Sequence, residues 1–210
     1  LNAFKEFKEI KKTIIVYNKK HKKYIKSLNL SNTIKIIGDK NRQGSTFNSL
    51  KKVKGMGCKK VLIHDCARPF PPKKLIKNII FKLKKNSAVV PVLKVLDSTK
   101  RVRKGLIFKN IKRENLRLAQ TPQGFHFKKI YKKHIKYKGN NFNDDSAMFI
   151  KDKEKVLTIK GSKKNLKITD IEDLNIFKSL TSGKIYYGIG FDIHRLIEKK
   201  KLYLGLYRRR

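Results

Sequence analysis

The chain is predicted to be an α/β protein, a mainly parallel sheet covered by helices on both faces. Two observations carry this expectation. Short β-branched or apolar runs recur at Thr13–Tyr17, Thr33–Ile37, Val61–Ile63 and Ala88–Val92, which suits strands buried on both faces. Between them lie stretches of helical character, clearest where Pro71-Pro72 leads Leu75, Ile76, Ile79, Ile80 and Leu83 on one face. Strand and helix alternating in this way is the pattern of a parallel sheet joined by crossover helices.

The chain starts in a helical-looking segment with no cap, at Leu1 rather than Met. From both facts we expect the natural protein to begin further upstream. The β-branched run Thr13–Tyr17 reads as the first strand, a Lys-rich helix follows, and Thr33–Ile37 is the second strand. Gly38 ends that strand, and Ser45 is a candidate N-cap for the helix carrying Leu50 and Val53. Next comes Val61-Leu62-Ile63-His64-Asp65-Cys66-Ala67-Arg68-Pro69-Phe70, which delivers an acid and an arginine where an apolar strand runs out. Ligands of open α/β sheets bind beyond the carboxyl ends of strands. There Asp65 can hold a divalent cation and Arg68 can fork a phosphate. The same stretch also suits an Asp that caps the next helix and an Arg that is simply solvated.

The pattern changes from Ser98 to Asn115. Arg101–Arg103, Lys104-Gly105 and Leu106–Phe108 read as a hairpin too polar to be core. A basic helix follows Phe125, Asp144-Asp145 opens a short helix, and Lys155–Ile159 is the last strand. Thr169-Asp170-Ile171-Glu172 resembles a capping box for a helix running through Leu180. The polar link Thr181-Ser182-Gly183 marks a boundary. It divides the chain into a domain over 1–180 and a short second piece over 181–210.

The formal charge of +40 is extreme, and the hydrophobic fraction of 39% is modest. The 55 Lys and Arg are spread along the whole length rather than gathered in a patch. There is no zinc-finger spacing and no RNP-like aromatic motif. A dedicated nucleic-acid reader is therefore disfavoured, while nonspecific polyanion binding at low salt is expected. Two cysteines, Cys58 and Cys66, form neither a disulfide framework nor a metal site. No apolar run approaches a membrane span and no signal peptide is visible, so the expected location is cytoplasmic.

The segment His64–Phe70 resembles the "HDAARPF" stretch of 2-C-methyl-D-erythritol 4-phosphate cytidylyltransferases. Four further segments match that family in the right order: Gly38–Ser45, Gln120–Phe125, Asn143–Ala147 and Leu166–Leu174. The resemblance implies a Rossmann-like nucleotidyltransferase sheet with a β-hairpin arm that reaches across a homodimer; an ordinary surface hairpin is the alternative. It implies cytidylyl transfer from CTP to 2-C-methyl-D-erythritol 4-phosphate, with pyrophosphate released, in non-mevalonate isoprenoid synthesis. By motif match Asp65 would touch the nucleotide and its Mg²⁺, and Arg68 the methylerythritol phosphate. Gly38 and Ser45 would bind the cytidine part. Thr121, Lys167 and Arg113 would orient the second substrate, and Ser98 stands where the family has Thr. Arg113 and Ser98 would serve the partner's site. Only motif register singles out Lys167 and Arg113 among so many cations.

Departures from the family are Asp39 for the second Gly of a "GG" pair, Asn143 for a Thr, and Cys66 for an Ala. The family's Gly-rich loop, which cradles the CTP triphosphate together with a following Lys, has no counterpart in this sequence. After Gly183, Tyr187–Leu196 resembles the opening of 2-C-methyl-D-erythritol 2,4-cyclodiphosphate synthases. Asp192 and His194 stand two apart there, as two Zn²⁺ ligands on one strand face would. The family's third ligand, a downstream His, is absent. The expectation is a piece of a bifunctional cytidylyltransferase–synthase, with a catalytically inactive remnant and a basic nucleic-acid-binding protein as rivals.

Overall fold

The structure is a computed structural model that describes residues 2–28, 30 and 32–181, together with two short strands, Tyr203–Leu204 and Tyr207–Arg208. Asp192 and His194 lie outside the described residues, so the expected zinc pair has no structural account here. A short helix α1 (Asn2–Lys5) leads to strand β1 (Thr13–Tyr17). Helix α2 (Lys22–Ser27) then connects to strand β2 (Thr33–Ile37), which lies parallel to β1 with Thr13 opposite Thr33 and Tyr17 opposite Ile37. Both strands fall where the β-branched runs put them.

Helix α3 (Arg42–Val53) begins four residues earlier than Ser45 would allow as its cap. Asn41 takes that role, its side chain accepting a 2.7 Å hydrogen bond from the Gly44 amide. Asn and Ser compete on nearly equal terms at an N-cap, and the residue nearer the strand wins. Ser45, now inside the first turn, accepts from the Asp39 amide at 2.9 Å and so ties the strand exit to the helix.

The main sheet contains strands β3 (Lys60–Ile63), β4 (Ala88–Lys94), β7 (Arg117–Ala119), β8 (Gln123–His126) and β9 (Leu157–Lys160). Strand β4 runs parallel to β9 and antiparallel to β8, which is itself antiparallel to β3. Three strands thus share one direction, and their carboxyl ends lie at one end of the sheet. Strands β8 and β7 pair successively with the first and second halves of β4, Val89 opposite Gly124 and Val92 opposite Ala119. Nothing in the sequence pattern had suggested strands over 117–126. Their ladder is interrupted at Gln120–Pro122, and this break becomes the floor of the site.

Side-chain alternation along the sheet builds two cores. On one face Ala88 and Phe125 pack with Leu50 of α3, Phe127 and Ile130 of helix α5 (Phe127–Lys136), and Met148 and Phe149 of helix α6 (Ala147–Lys151). On the other, Val89 and Ile159 pack with Leu75, Ile79 and Leu83, from helix α4 (Lys73–Lys82) and its C-cap. Gly124 faces this second layer, where an added Cβ would fall 2.6 Å from Ile79 and 2.7 Å from Leu83. The glycine lets α4 sit directly on the sheet. The helices of the expected two-sided cover are therefore present.

The hairpin is formed by β5 (Thr99–Arg103) and β6 (Leu106–Ile111), antiparallel and joined by Lys104-Gly105. Both turn residues have positive φ, 48° and 81°, as a two-residue turn matched to strand twist requires. Most of its residues are exposed, Val102, Leu106, Ile107 and Phe108 among them. Helix α7 (Ile171–Thr181) closes the described domain. Its cap is shifted by one residue from the Thr169–Glu172 box. Asp170 accepts from the Asp173 amide at 2.8 Å, and Asp173 accepts from the Thr169 amide at 2.8 Å.

Candidate active site

The carboxyl ends of β3 and β9 flank the break between β7 and β8. After Ile63 the chain turns, and the Arg68 amide donates to the Asp65 carbonyl at 3.0 Å. Thr121, in the break, holds this turn from beside it. Its hydroxyl oxygen accepts from the Asp65 amide at 3.0 Å and lies 3.1 Å from His64 Nδ1. His64 Nε2 meets the Arg68 carbonyl at 2.8 Å. A carbonyl can only accept, so Nε2 carries a proton, and in the neutral ring Nδ1 accepts a hydrogen bond from the Thr121 hydroxyl. Burial pushes the His64 pKa below its usual value, against the pull of the Arg68 carbonyl and Asp65. The neutral ring that this geometry needs is the favoured one.

A second layer of bonds fixes the loop after β9. Gln120, buried, donates to the Ser162 carbonyl at 2.9 Å and accepts from the Ser162 amide at 3.0 Å. Asn165, 1% exposed, donates to the Thr121 carbonyl at 2.7 Å. Its own carbonyl accepts from Arg68 Nη1 at 2.7 Å, which stretches the guanidinium toward β9. The Ile168 amide reaches the Ala67 carbonyl at 2.8 Å. These bonds bring Lys167 over the strand end, its ammonium 3.7 Å from Asp65 Oδ2. A cleft of about 320 Å³ opens beside it, lined by Arg68, Gln120, Asn165 and Lys167 with Leu93 and Leu118 on its apolar side.

Of the residues singled out from sequence, the fold brings Asp65, Arg68, Thr121 and Lys167 into one cluster. Gly38 and Ser45 form a neighbouring pair in which a Cβ on residue 38 would stand 2.8 Å from the Ser45 hydroxyl. Ser98 and Arg113 are not part of either. Both are exposed at the base of the hairpin, and Arg113 donates through Nη1 to the Leu96 carbonyl. Among the described residues no bond or ion pair joins them to the cluster.

The geometry also adds residues that sequence reasoning had not named. Arg42, at the first turn of α3, places Nε 3.4 Å from Asp65 Oδ1 and Nη1 2.7 Å from Asp145 Oδ2. Asp145 is 1% exposed, and its other oxygen lies 3.0 Å from His134 Nε2. Burial alone would raise the Asp145 pKa, but the His134 hydrogen bond and the Arg42 charge outweigh it and hold the carboxyl below its ordinary range. Asp144 closes the start of α6 instead, accepting from the Ala147 amide at 3.0 Å and the Ser146 hydroxyl at 2.7 Å. Arg42 and Asp145 both fall inside the matched segments; their register there was the available signal.

Among the described residues no group of three or more His, Cys, Asp or Glu is placed to hold a metal. Asp173 lines the cleft but is engaged by Thr169, and Asp145 is buried against Arg42 and His134, so among the described residues a divalent cation at the strand end would draw on Asp65 and take its other ligands from substrate oxygens. That is the usual manner of Mg²⁺, which keeps water and phosphate ligands and takes one or two carboxylates. The donor set fits a cation that arrives with a phosphate.

Comparison with known proteins agrees over most of the chain. The family described as "IspD: 2-C-methyl-D-erythritol 4-phosphate cytidylyltransferase" matches residues 1–181. A protein of Pelagibacter ubique (strain HTCC1062) named "Bifunctional enzyme IspD/IspF" is 42% identical over 205 residues, covering 98% of this chain and 53% of that protein. The 2-C-methyl-D-erythritol 4-phosphate cytidylyltransferase of Bacillus mycoides (strain KBAB4) is 32% identical over 186 residues, 85% of this chain and 81% of its own. Among solved structures, the 4-diphosphocytidyl-2C-methyl-D-erythritol synthase of Anaerococcus prevotii superposes with a TM-score of 0.77 at 30% identity, covering 85% of this chain and 82% of that one. The chain spans roughly half the length of the bifunctional relatives, 53%, 40% and 48% of the first three.

Proposed function

Since the chain belongs to the 2-C-methyl-D-erythritol 4-phosphate cytidylyltransferase family, we propose that its strand-end cluster transfers a cytidylyl group from CTP to 2-C-methyl-D-erythritol 4-phosphate. In this reading a phosphate oxygen of the acceptor attacks the α-phosphorus of CTP and pyrophosphate leaves. The observation that carries it is that Arg68 and Lys167 line one cleft while the Lys167 ammonium stands 3.7 Å from Asp65 Oδ2. Phosphoryl-type transfer asks the protein for positioning and for fixed positive charge where negative charge gathers. Arg68, stretched by Asn165, and Lys167, beside Asp65, supply two cations for the acceptor phosphate. Thr121 holds the turn that carries both His64 and Asp65. Asp65 would hold Mg²⁺, which when bound offsets charge on the triphosphate. Gly38 and Ser45, at the other strand exit, would receive the cytidine part.

The hairpin would reach a second copy of the chain, with Ser98 and Arg113 completing the partner's site; the exposed Leu106, Ile107 and Phe108 support such a contact. Residues 181–210 would begin a synthase domain in which Asp192 and His194 are two of the Zn²⁺ ligands. Among the described residues no helix is long and apolar enough to cross a membrane.

The test is pyrophosphate release from CTP, Mg²⁺ and 2-C-methyl-D-erythritol 4-phosphate. It should be run with the full chain and with the same chain extended at Leu1 by the family's Gly-rich loop. We expect release that depends on both substrates, at least in the extended chain. Release that does not depend on the acceptor, or none in either form, would overturn the reading.

A further inference from the structure

The charges around Asp65 are not arranged symmetrically. One oxygen, Oδ1, faces Arg42 Nε, while Oδ2 faces the ammonium of Lys167. The Lys167 side chain is 46% exposed and sits on a long flexible stem. Arg42 is anchored, because its Nη1 is bonded at 2.7 Å to an Asp145 carboxylate with 1% side-chain exposure. Asp145 is held in turn by His134, which is itself buried and stacked on Phe47, with ring centroids 5.8 Å apart and planes 9° apart. The chain of contacts His134–Asp145–Arg42–Asp65 thus runs from the packed core to the strand end.

Arg42 offsets Asp145 and Lys167 offsets Asp65, while Arg68 leaves the cluster one positive charge in excess. When a cation or a phosphate enters, Lys167 can turn away to meet it, whereas Arg42 cannot leave without stranding a buried carboxylate. Stranding a buried charge costs several kcal/mol, which is why the anchored partner stays.

Resting on the assignment of Asp65 as the carboxylate that meets substrate, we propose that Arg42 is a positioning residue for it. Anchored by Asp145 and His134, Arg42 clamps Oδ1 and leaves Oδ2 as the oxygen presented to the incoming cation and triphosphate. Arg42 touches no reacting atom in this scheme. It sets the rotation of the carboxylate, so its loss leaves substrate binding nearly intact and makes the bound geometry wrong.

A double-mutant cycle in the full chain, extended by the Gly-rich loop where that is required for turnover, tests the idea. Arg42→Gln should lower kcat about 10- to 100-fold, the range usual for residues that orient a ligand-bearing side chain. The KM values for CTP and 2-C-methyl-D-erythritol 4-phosphate should move less than about 3-fold, since only positioning is lost. In an Asp65→Asn background the same substitution should cost almost nothing further, because the group it positions is gone. An equal loss in both backgrounds, or an unchanged kcat with a lowered thermal midpoint, would make Arg42 a structural residue and overturn the proposal.

A second readout needs no turnover. The Arg42 Nε–H resonance of the ligand-free chain should shift in Asp65→Asn and exchange faster with solvent in Asp145→Asn. A resonance untouched by both substitutions overturns the proposal. If the parent enzyme transfers no cytidylyl group at all, the functional reading fails, and this resonance alone decides whether Arg42 orients Asp65.

Discussion

In the cluster at the strand ends, polar side chains find partners in distant parts of the chain: Thr121 with the Asp65 amide, Arg68 with the Asn165 carbonyl, Gln120 with the Ser162 carbonyl. In the hairpin β5–β6 the partners are neighbours across one two-stranded ladder, and the side chains face solvent. Both regions are polar and both carry residues assigned to substrate. The difference is what limits their motion. Buried hydrogen-bonding groups cannot exchange a partner for water without cost, so their positions are set before any ligand arrives. Exposed groups on a hairpin can exchange freely, and they gain fixed positions only against another surface. A hairpin of this kind gains a fixed site only where another surface meets it, which is the arrangement proposed for Ser98 and Arg113.

Substitutions on each side of this divide should differ in kind. The largest effect belongs to Asp65→Asn. It should slow cytidylyl transfer about 10²- to 10³-fold, as losing one preorganised charge contact does, with little change in the denaturation midpoint. Turnover close to that of the parent would reduce Asp65 to a turn residue and erase the distinction. Next is Asn165→Ala, which leaves the Thr121 carbonyl unpaired in a buried site and should cost about 1–3 kcal/mol in urea denaturation. A neutral result would mean that the second layer of bonds does not set the cluster's geometry.

Acid should also act on the cluster's anchor. The Asp145 carboxyl is held below its usual range in the fold, so near pH 4 the unfolded chain binds the proton that the folded chain refuses. The stability this carboxyl contributes is therefore present above that pH and lost as pH falls through the folded value. Comparing urea midpoints from pH 6 to 3 should show a shallower acid limb in Asp145→Asn than in the parent; parallel limbs would count against the anchor.

On the hairpin side, Arg113→Ala should raise KM for 2-C-methyl-D-erythritol 4-phosphate about tenfold, roughly the worth of one charge-assisted contact, and leave the CTP KM nearly alone. Mixing Arg113→Ala with Asp65→Asn subunits should restore part of the activity, and no recovery would exclude a site shared between copies. Smallest of all, Leu106→Ser should change chain stability by less than about 0.5 kcal/mol, as exposed substitutions do, while shifting any dimer toward monomer in sedimentation.

Helical spacing made α4 legible because it buries one repeating face, and β-branched and apolar runs made β1, β2 and β4 legible. The strand end at Asp65 was legible for the same reason, an apolar run stopping at charged residues. Strands β7 and β8 were not. The run Arg117–His126 contains Pro122 and buries Gln120, Thr121 and Gln123, so it shows neither alternation nor an apolar stretch. Its pairing is decided by partners elsewhere in the chain. Arg42 was hidden in another way, as one cation among 55; motif register was its signal in the sequence, and in the fold its bond to the buried Asp145 distinguishes it. The Ser45 cap failed because Asn41 offers the same chemistry four residues earlier.

The bonds that build the cluster span unusual lengths of chain, 103 residues between Arg42 and Asp145 and 97 between Arg68 and Asn165. Closing such loops comes late in folding, after local helices and hairpins have formed, because the entropy is lost before the contact rewards it. On a ribosome the cluster cannot close until Asn165 and Lys167 have left the exit tunnel, long after β3 has been made. For the first part of that interval, until residues 123–126 emerge, β3 waits without its partner β8, an apolar strand with an open edge. Lys59 and Lys60 put positive charge at the start of that strand, and like charge opposes edge-to-edge pairing between nascent chains.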